Sequence, residues 1–422
     1  MRPSRLVAVV ATTAVLVAAA SIPVAGASVQ TGSRGVTSDS IKVAGVVDAS
    51  QFFKDRVEAG INARFNREND QGGVSGRMLD YVETVDDKHD ANTNLTEIRR
   101  LVQEEQVFAI VPNMTPEFGG PAAKFLEQQH VPFVGWGIAE AWCDNDYGFG
   151  FTGCIVPPAN IPNTGDTWGK LLDKYFKAQG DNQGGEGKTA AVITEDNDTG
   201  KRGLQEIVFQ AKKGGNKVVY QKAAVPAGQA ISDYSPFVND MLSSNNGGPP
   251  DIIYLVTAAT NTLGLAGALK DAGYQGLITN AVGYDPALVQ GARGEGVFTQ
   301  FDLPQDTENP AMQNIIDAFS TVGVSADKIS QPALAAYFSA DMFVQILKKV
   351  GKNLTPERFA KAASKFTYEI PGVIGPTKFP TAFKQGTPCG TLVQSDGTQY
   401  NIVVPYDCYT NYNYKTGKKL KY

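Results

Sequence analysis

Short apolar runs alternate with amphipathic segments along most of the chain. Residues 107–111 form an apolar run that is too short for a core helix and is followed by Pro112, which predicts a buried parallel strand. Pro121 stands where the first turn of a helix is expected. A second short apolar run, 131–134, predicts another strand. Two successive strands therefore deliver their carboxyl ends to the same edge of a sheet.

We expect a ligand to bind at that edge of the sheet. In an open α/β sheet, ligands bind in the crevice outside the carboxyl ends of the strands. The residues that follow these two strands, and that we expect to lie in the crevice, are Asn113, Met114, Thr115, Trp136 and Gly137.

The same alternation of strand and helix continues on both sides of this stretch. Predicted strands lie at 41–47, 79–85, 189–194, 218–222, 252–256 and 277–280, and predicted helices include 167–176, 203–213 and 263–272. Helices return after residue 300, and the last fifty residues resemble β-hairpins. This order predicts an α/β fold with parallel, doubly wound sheets.

The N-terminus has the pattern of an export signal. Arg2 and Arg5 precede an apolar run at 6–20, and Ala25-Gly26-Ala27 is a cleavage-site pattern. We therefore predict a signal peptide over 1–27, a loose lead-in over 28–40, and an exported protein with no lipid anchor evident.

Composition argues against a nucleic-acid partner and favours two disulfide bonds. The formal net charge is −5 and no cluster of Lys and Arg marks a nucleic-acid surface. An exported chain with four cysteines favours two disulfides. Pairing by proximity is the simplest of three connectivities, Cys143 with Cys154 and Cys389 with Cys408. A metal site is the alternative, but the spacings are not those of C-x-x-C motifs.

Motifs for catalysis are not found. Asp86, Asp87, His89 and Asp90 could form a hard-metal or acid/base cluster, but a strand end followed by a helix N-cap is favoured. The sequence lacks a G-x-S-x-G nucleophile elbow, and Gly187-Lys188-Thr189 precedes a strand instead of following one, unlike a phosphate-binding loop. We predict a protein that is not an enzyme and uses neither cofactor nor metal.

Several segments resemble a known family. IKVAGVVDAS, NDQGGVSGRML, ETVDD and AGQAISDYSPFVNDMLSSNNGGPPDIIYL are similar to segments of type I periplasmic binding proteins, in particular the solute receptors of branched-chain amino acid ABC importers. The resemblance is collinear over about 41–405. It implies two α/β lobes, joined by three hinge crossovers, that close on a ligand. The implied lobes are 41–155 plus 301–367, and 156–300 plus 368–422.

The resemblance also implies ligand positions. They fall on Phe53 after the first strand, on 114–116, on 137–139, on Thr199 before Gly200, and on Ala258. Together with the crevice residues and their neighbours, the candidate ligand-binding set is Phe52, Phe53, Asn113, Met114, Thr115, Trp136, Gly137, Ile138, Thr199, Thr257, Ala258, Tyr284 and Asp285.

The departures from the family pattern bear on the ligand. The family's acidic partner for an α-ammonium falls on Val282, with Asp285 three residues on. A buried ammonium without an anion costs several kcal/mol. We therefore expect a neutral, aromatic or apolar ligand, and a monomeric receptor that delivers it to the membrane permease of an ABC importer. A branched-chain amino acid receptor and a ligand-binding sensor module are the alternatives.

Overall fold

The structure is a computed structural model, and it describes residues 33–227 and 231–422. The signal peptide predicted over 1–27 lies outside the described residues. Within them, no helix combines the length and the apolar character that crossing a membrane requires.

The first part of the chain builds a parallel sheet of five strands. Its elements are β1 (Ser40–Val47), α1 (Ala49–Phe52), α2 (Lys54–Asn69), β2 (Met78–Asp86), α3 (Ala91–Gln103), β3 (Ala109–Met114), α4 (Gly120–Gln128), β4 (Phe133–Gly135) and β5 (Gly148–Gly150). The strand order is β2-β1-β3-β4-β5. We call the part of the molecule built on this sheet the first lobe.

The middle of the chain repeats the alternation. Its elements are β6 (Asn163–Gly165), α5 (Thr167–Ala178), β7 (Thr189–Glu195), α6 (Asp198–Lys213), β8 (Lys217–Val225), α7 (Ser235–Leu242), β9 (Ile252–Val256), α8 (Ala259–Asp271), β10 (Leu277–Asn280) and β11 (Gly296–Thr299). Strands β7 to β11 pair in parallel and form most of a second sheet. The part built on it is the second lobe.

The last part of the chain contributes to both lobes. Its elements are α9 (Pro310–Ser320), α10 (Gln331–Val350), α11 (Pro356–Ala363), β12 (Thr367–Ile370), β13 (Ile374–Lys378), β14 (Cys389–Ser395), β15 (Tyr400–Cys408) and β16 (Asn411–Asn413). Antiparallel β14 and β15 extend the second sheet to the order β15-β14-β11-β10-β9-β7-β8. The chain passes between the sheets after β5, after β11 and after β13, so the predicted α/β fold with two parallel-sheet lobes and three crossovers is confirmed.

The core of the first lobe lies between its sheet and the helices that return after residue 300. Phe319, Phe338 and Phe343 pack in one buried cluster with Val43 of β1 and Val111 of β3. Helix α10 is buried almost all round, which is why its sequence is apolar on every face instead of amphipathic. The late helices therefore supply the hydrophobic cover that the first sheet needs.

Helix starts in the chain carry side-chain caps. The Asp90 carboxylate accepts from the Thr93 backbone N–H of α3 at 2.7 Å, and Asn197 accepts from Gly200 in α6 at 2.6 Å. Such caps satisfy backbone donors that have no partner inside the helix. The interpretation of Asp90 as a helix N-cap is confirmed.

Both predicted disulfides are present. Cys143 is bonded to Cys154 and Cys389 to Cys408. The second bond joins residues that face each other across β14 and β15, and the first closes the loop around β5. Pairing by proximity in sequence is therefore confirmed.

Candidate functional site

A cavity of about 230 Å³ lies between the two lobes and extends into the second one. The first lobe contributes residues from α1 and from the end of β4, and the second lobe contributes the ends of β7, β9 and β10 with the start of α6. The carboxyl ends of parallel strands thus face this space, as the topology of open α/β sheets requires.

Aromatic side chains form much of the wall. Trp136 packs against Phe52 with ring centroids 5.9 Å apart, and Trp168 stacks on Phe298 at 5.2 Å. Both indoles are held by hydrogen bonds, since Trp136 Nε1 donates to Gln300 Oε1 and Trp168 Nε1 donates to a buried threonine, each at 2.9 Å. Rigid aromatic faces of this kind are suited to an apolar or aromatic ligand.

Part of the candidate set lies on the cavity wall. The structure brings together, from both lobes, Phe52, Trp136, Ile138, Thr199, Thr257 and Ala258. Val282, which stands where the family has its acidic residue, also lines the cavity.

Four other members of the set lie away from the wall, in the first lobe. Phe53 is 36% exposed, and Met114 belongs to the hydrophobic core. The Thr115 hydroxyl donates to Asp87 at 2.5 Å. Gly137 packs against a neighbouring backbone, because a Cβ on it would lie 2.2 Å from a carbonyl oxygen.

The remaining three members of the candidate set do not line the cavity either. Asn113 is fully buried in β3 and is not part of the wall. The buried Tyr284 hydroxyl donates to Gln305 at 3.2 Å. Asp285 accepts from the Ala287 backbone N–H at 2.8 Å and pairs with Arg56 Nε at 3.3 Å. Of residues 113–116, Pro116 alone lines the cavity, and the other three are buried in the first lobe.

A hydrogen-bonded polar cluster lies beside the cavity in the first lobe. His89 Nδ1 lies 2.5 Å from Asp48 Oδ2, and its Nε2 lies 3.3 Å from Glu117. The hydrogen bond to Asp48 raises the pKa of His89 to about 9, so the imidazole is cationic at neutral pH. Burial raises the pKa of Asp87 to about 7, against the effect of its bond from Thr115.

The carboxylates of this cluster also bond to the backbone. One oxygen each of Asp48, Asp86 and Asp87 lies within 4.8 Å of the others. Asp86 accepts from the Ala49 and Lys88 backbone N–H groups, and Asp48 caps α1. This is the strand-end and helix-cap arrangement that the sequence favoured over a metal site.

Two carboxyl groups on the wall were missed by the sequence reasoning. Glu195 ends β7 and accepts from the Ala258 N–H at 2.7 Å and from Asn197 Nδ2 at 3.2 Å. Burial raises its pKa. Glu195 could have been predicted from the sequence, because it stands at the carboxyl end of a strand, the position that drew attention to the residues after β3 and β4. Glu206 lies inside α6, where glutamate normally faces solvent, and no pattern in the sequence marked it.

Two α/β lobes that enclose an apolar cavity define a two-lobe solute-binding protein. The chain belongs to the periplasmic binding protein family, whose model matches residues 40–399. Among curated proteins, no sequence matches the chain.

Solved structures with similar folds agree with this assignment. A fatty acid ABC transporter substrate-binding protein from Thermomonospora curvata has a TM-score of 0.68 at 19% identity, covering 91% of this chain and 95% of that one. A solute binding protein from R. palustris in complex with 4-hydroxybenzoate has 0.68 at 17%, covering 88% and 98%. A leucine binding protein from Thermotoga maritima has 0.66 at 16%, covering 86% and 97%.

Proposed function

We propose that the protein is the extracytoplasmic solute receptor of an ABC-type importer and binds a small neutral, aromatic or apolar ligand between its lobes. The observation that carries this proposal is the wall of the cavity. Trp136 and Phe52 of the first lobe and Trp168 and Phe298 of the second face it, while none of the described lining residues is Lys, Arg or His.

Membership of the family supports the receptor role. Solved proteins of the same fold are described as binding a fatty acid, 4-hydroxybenzoate and leucine, so the fold accommodates aromatic and aliphatic ligands. The partners that follow from the role are the permease subunits of the importer, and the predicted leader at 1–27 would bring the protein out of the cytoplasm to meet them. We propose that the receptor acts as a monomer.

A thermal-shift screen of the purified protein tests the ligand class. The panel contains neutral aromatic compounds, aromatic acids, aliphatic amides and the branched-chain amino acids. A ligand at 100 times its Kd adds about 2.7 kcal/mol to the free energy of unfolding, which is an easily measured shift. We expect neutral aromatic or apolar compounds to raise the Tm and leucine to leave it unchanged. A response to leucine, isoleucine or valine alone would contradict the proposed ligand class.

One observation favours a branched-chain amino acid receptor as the second candidate. Glu195 places a carboxyl group on the wall, where it could pair with an ammonium group. Against this, both of its oxygens already accept hydrogen bonds from Ala258 and Asn197. Calorimetry with leucine decides between the two, because binding that Glu195→Gln abolishes would establish the amino-acid receptor.

A further inference from the structure

Five residues that line the cavity carry a buried side-chain oxygen with no hydrogen-bond partner among the described residues. Two of these oxygens, Gln51 Oε1 and Gln331 Oε1, belong to helices α1 and α10. The other three are Glu206 Oε1, Thr167 Oγ1 and Asn411 Oδ1. Glu206 and Thr167 are each 4% exposed and Asn411 is 1% exposed. We call these three side chains the polar corner. It lies in the second lobe, where α5, α6 and β16 meet the cavity.

The fold orients the Asn411 amide toward an opening left by a glycine. Asn411 Nδ2 donates to the Gly386 carbonyl at 2.8 Å, which leaves Oδ1 as the free acceptor. Across the β6–β16 pair, Asn411 is opposite Gly165. A Cβ built on Gly165 would lie 3.2 Å from Thr167 Oγ1 and 3.4 Å from Asn411 Oδ1. The two oxygens therefore converge on the same small space.

Glu206 completes the corner with a buried carboxyl group. Burial raises its pKa well above the ordinary value, and the opposing effects of Thr164 and Arg202 are smaller. A protonated carboxyl group supplies an O–H donor as well as an acceptor. The neighbouring Thr164 hydroxyl accepts a hydrogen bond from Gln210 Nε2 at 3.3 Å. Gln210 lies one turn after Glu206 in helix α6.

Unsatisfied buried polar atoms are costly in a folded protein. Each such group costs about 1–3 kcal/mol while it is left without a partner. Ile207, Trp168 and Phe298 of the same lobe add apolar surface to the cavity. A ligand that carries a polar group at one end would satisfy the corner and leave its apolar body against the aromatic rings.

We propose that the polar corner binds an uncharged head group that both donates and accepts hydrogen bonds, namely a hydroxyl or a carboxamide, at one end of an apolar ligand. Asn411 Oδ1 can only accept, so the head group has to donate to it. The Thr167 and Glu206 hydroxyl groups can donate in return. This inference rests on the proposed solute-binding function and adds the chemistry of the ligand's polar end.

Charged head groups do not fit the same place. A carboxylate would be buried beside Glu206 and Asn411 Oδ1 without any Lys or Arg among the described lining residues. An ammonium would have to lose its hydration and would need as its partner a carboxyl group whose ionisation burial disfavours.

Four probes that share a benzene ring and differ in the head group test the assignment. They are benzamide, benzyl alcohol, benzoate and benzylamine, each titrated into the purified protein at pH 7 with ligand-observed NMR. We expect Kd values for benzamide and benzyl alcohol at least tenfold below those for benzoate and benzylamine. Tighter binding of either charged probe would overturn the head-group assignment.

Substitutions in the polar corner test whether its side chains cause the preference for uncharged probes. Thr167→Val and Asn411→Leu each remove one free oxygen, and each should raise the benzamide Kd by tenfold or more. Glu206→Gln keeps a neutral group with a donor and should retain the preference for uncharged probes. Gly165→Ala should block benzamide by filling the space between the two oxygens, with Gly267→Ala in α8, where a Cβ meets nothing within 4 Å, as the matched control.

The outcomes separate this inference from the function on which it rests. If charged probes bind best, or if the corner variants leave the benzamide Kd unchanged while melting like the parent protein, the receptor function stands and the head-group assignment falls. If no probe binds and no compound of the thermal-shift panel raises the Tm, both are overturned.

Discussion

At the scale of single residues, environment decides what each side chain can do. Trp136 and Trp142 are both buried indoles of the first lobe, but Trp136 faces the cavity and Trp142 packs in the cluster beneath α3 and α4. Glu195 and Glu206 are both glutamates on the cavity wall. The first accepts a hydrogen bond from the backbone N–H of Ala258, just before α8, while the second has a buried oxygen without a partner among the described residues.

Trp136→Leu should weaken binding of the best compound from the thermal-shift screen by tenfold or more. Loss of an aromatic contact and of its buried area removes about 1.5–3 kcal/mol of ligand binding. Calorimetry gives the Kd. Trp142→Leu is the matched control, because it should lower the Tm and leave the Kd unchanged. Equal effects of the two changes on the Kd would contradict the placement of Trp136 in the binding wall.

Glu206→Gln should stabilise the protein at neutral pH. Burial raises the pKa of Glu206 above its ordinary value of 4.5, so the unfolded chain releases this proton at lower pH than the folded protein does, and the free energy of unfolding falls as the pH rises above 4.5. Glutamine removes this dependence. We expect the variant to be more stable than the parent at pH 7 and to match it near pH 4.

Denaturant titrations at several pH values measure this difference. Other groups with raised pKa values, including His89 and Asp87, are present in both proteins, so their contributions cancel in the comparison. A parent protein that is more stable than Glu206→Gln at pH 7 would show that the carboxyl group is ionised and paired in the folded state.

At the scale of elements, close packing of helices builds the first lobe. Helix α2 presents Val57, Ile61 and Phe65 to the core, at the i, i+4, i+8 spacing of residues on one helix face. Gly60 lets this helix approach α10 closely, because a Cβ there would lie 2.1 Å from the Ala333 carbonyl oxygen. The contact is between two elements that are far apart in the chain.

Gly60→Ala should therefore lower the free energy of unfolding by about 1–3 kcal/mol, since the backbones of α2 and α10 must move apart. Gly267→Ala, in the interior of α8, is the matched control and should raise it by roughly 0.5–1 kcal/mol through the better helix propensity of alanine. Urea denaturation measures both. A stabilising Gly60→Ala would contradict the close approach of the two helices.

At the scale of the whole molecule, a few polar contacts join the lobes around the cavity. Arg56 of α2 pairs with Asp285 of the second lobe, and Gln331 at the start of α10 donates to the Ala281 carbonyl at 2.9 Å. Glu140 and Arg202 face each other across the lobes at 4.0 Å. These contacts favour the closed arrangement, while the three crossovers permit the lobes to separate.

Arg56→Gln should raise the Kd of the best screened compound by about two- to fivefold. A partly exposed ion pair contributes about 0.2–1 kcal/mol, and only the closed form makes this one. Lys54→Gln is the control, because Lys54 pairs with Glu58 inside the same helix. An unchanged Kd for Arg56→Gln would show that the Arg56–Asp285 pair does not bias closure.

Ligand binding should reduce the radius of gyration. Two lobes joined by three crossovers close by small backbone changes at the hinge. Small-angle scattering of the purified protein with and without a saturating compound measures the change. An identical radius in both conditions would count against hinged closure.

Much of the fold could be predicted from local patterns. Strands β9 and β10 have the limits that their apolar runs predicted, and the disulfides follow from the spacing of their cysteines. These features depend on residues that are close together in the chain. The alternation of strands and helices then restricts the sheet to a parallel, doubly wound order, because crossovers are short and right-handed.

Which residues line the cavity depended on the tertiary structure. By sequence, Asn113, Met114 and Trp136 all follow strands at the same sheet edge, but only Trp136 reaches the cavity, because the end of β3 is covered by core packing and polar contacts. The polar corner joins residues from α5, α6 and β16 that no local pattern connects. The sequence by itself determined which elements form, since periodicity and turn chemistry are local, whereas long-range packing decided which side chains were left facing the cavity.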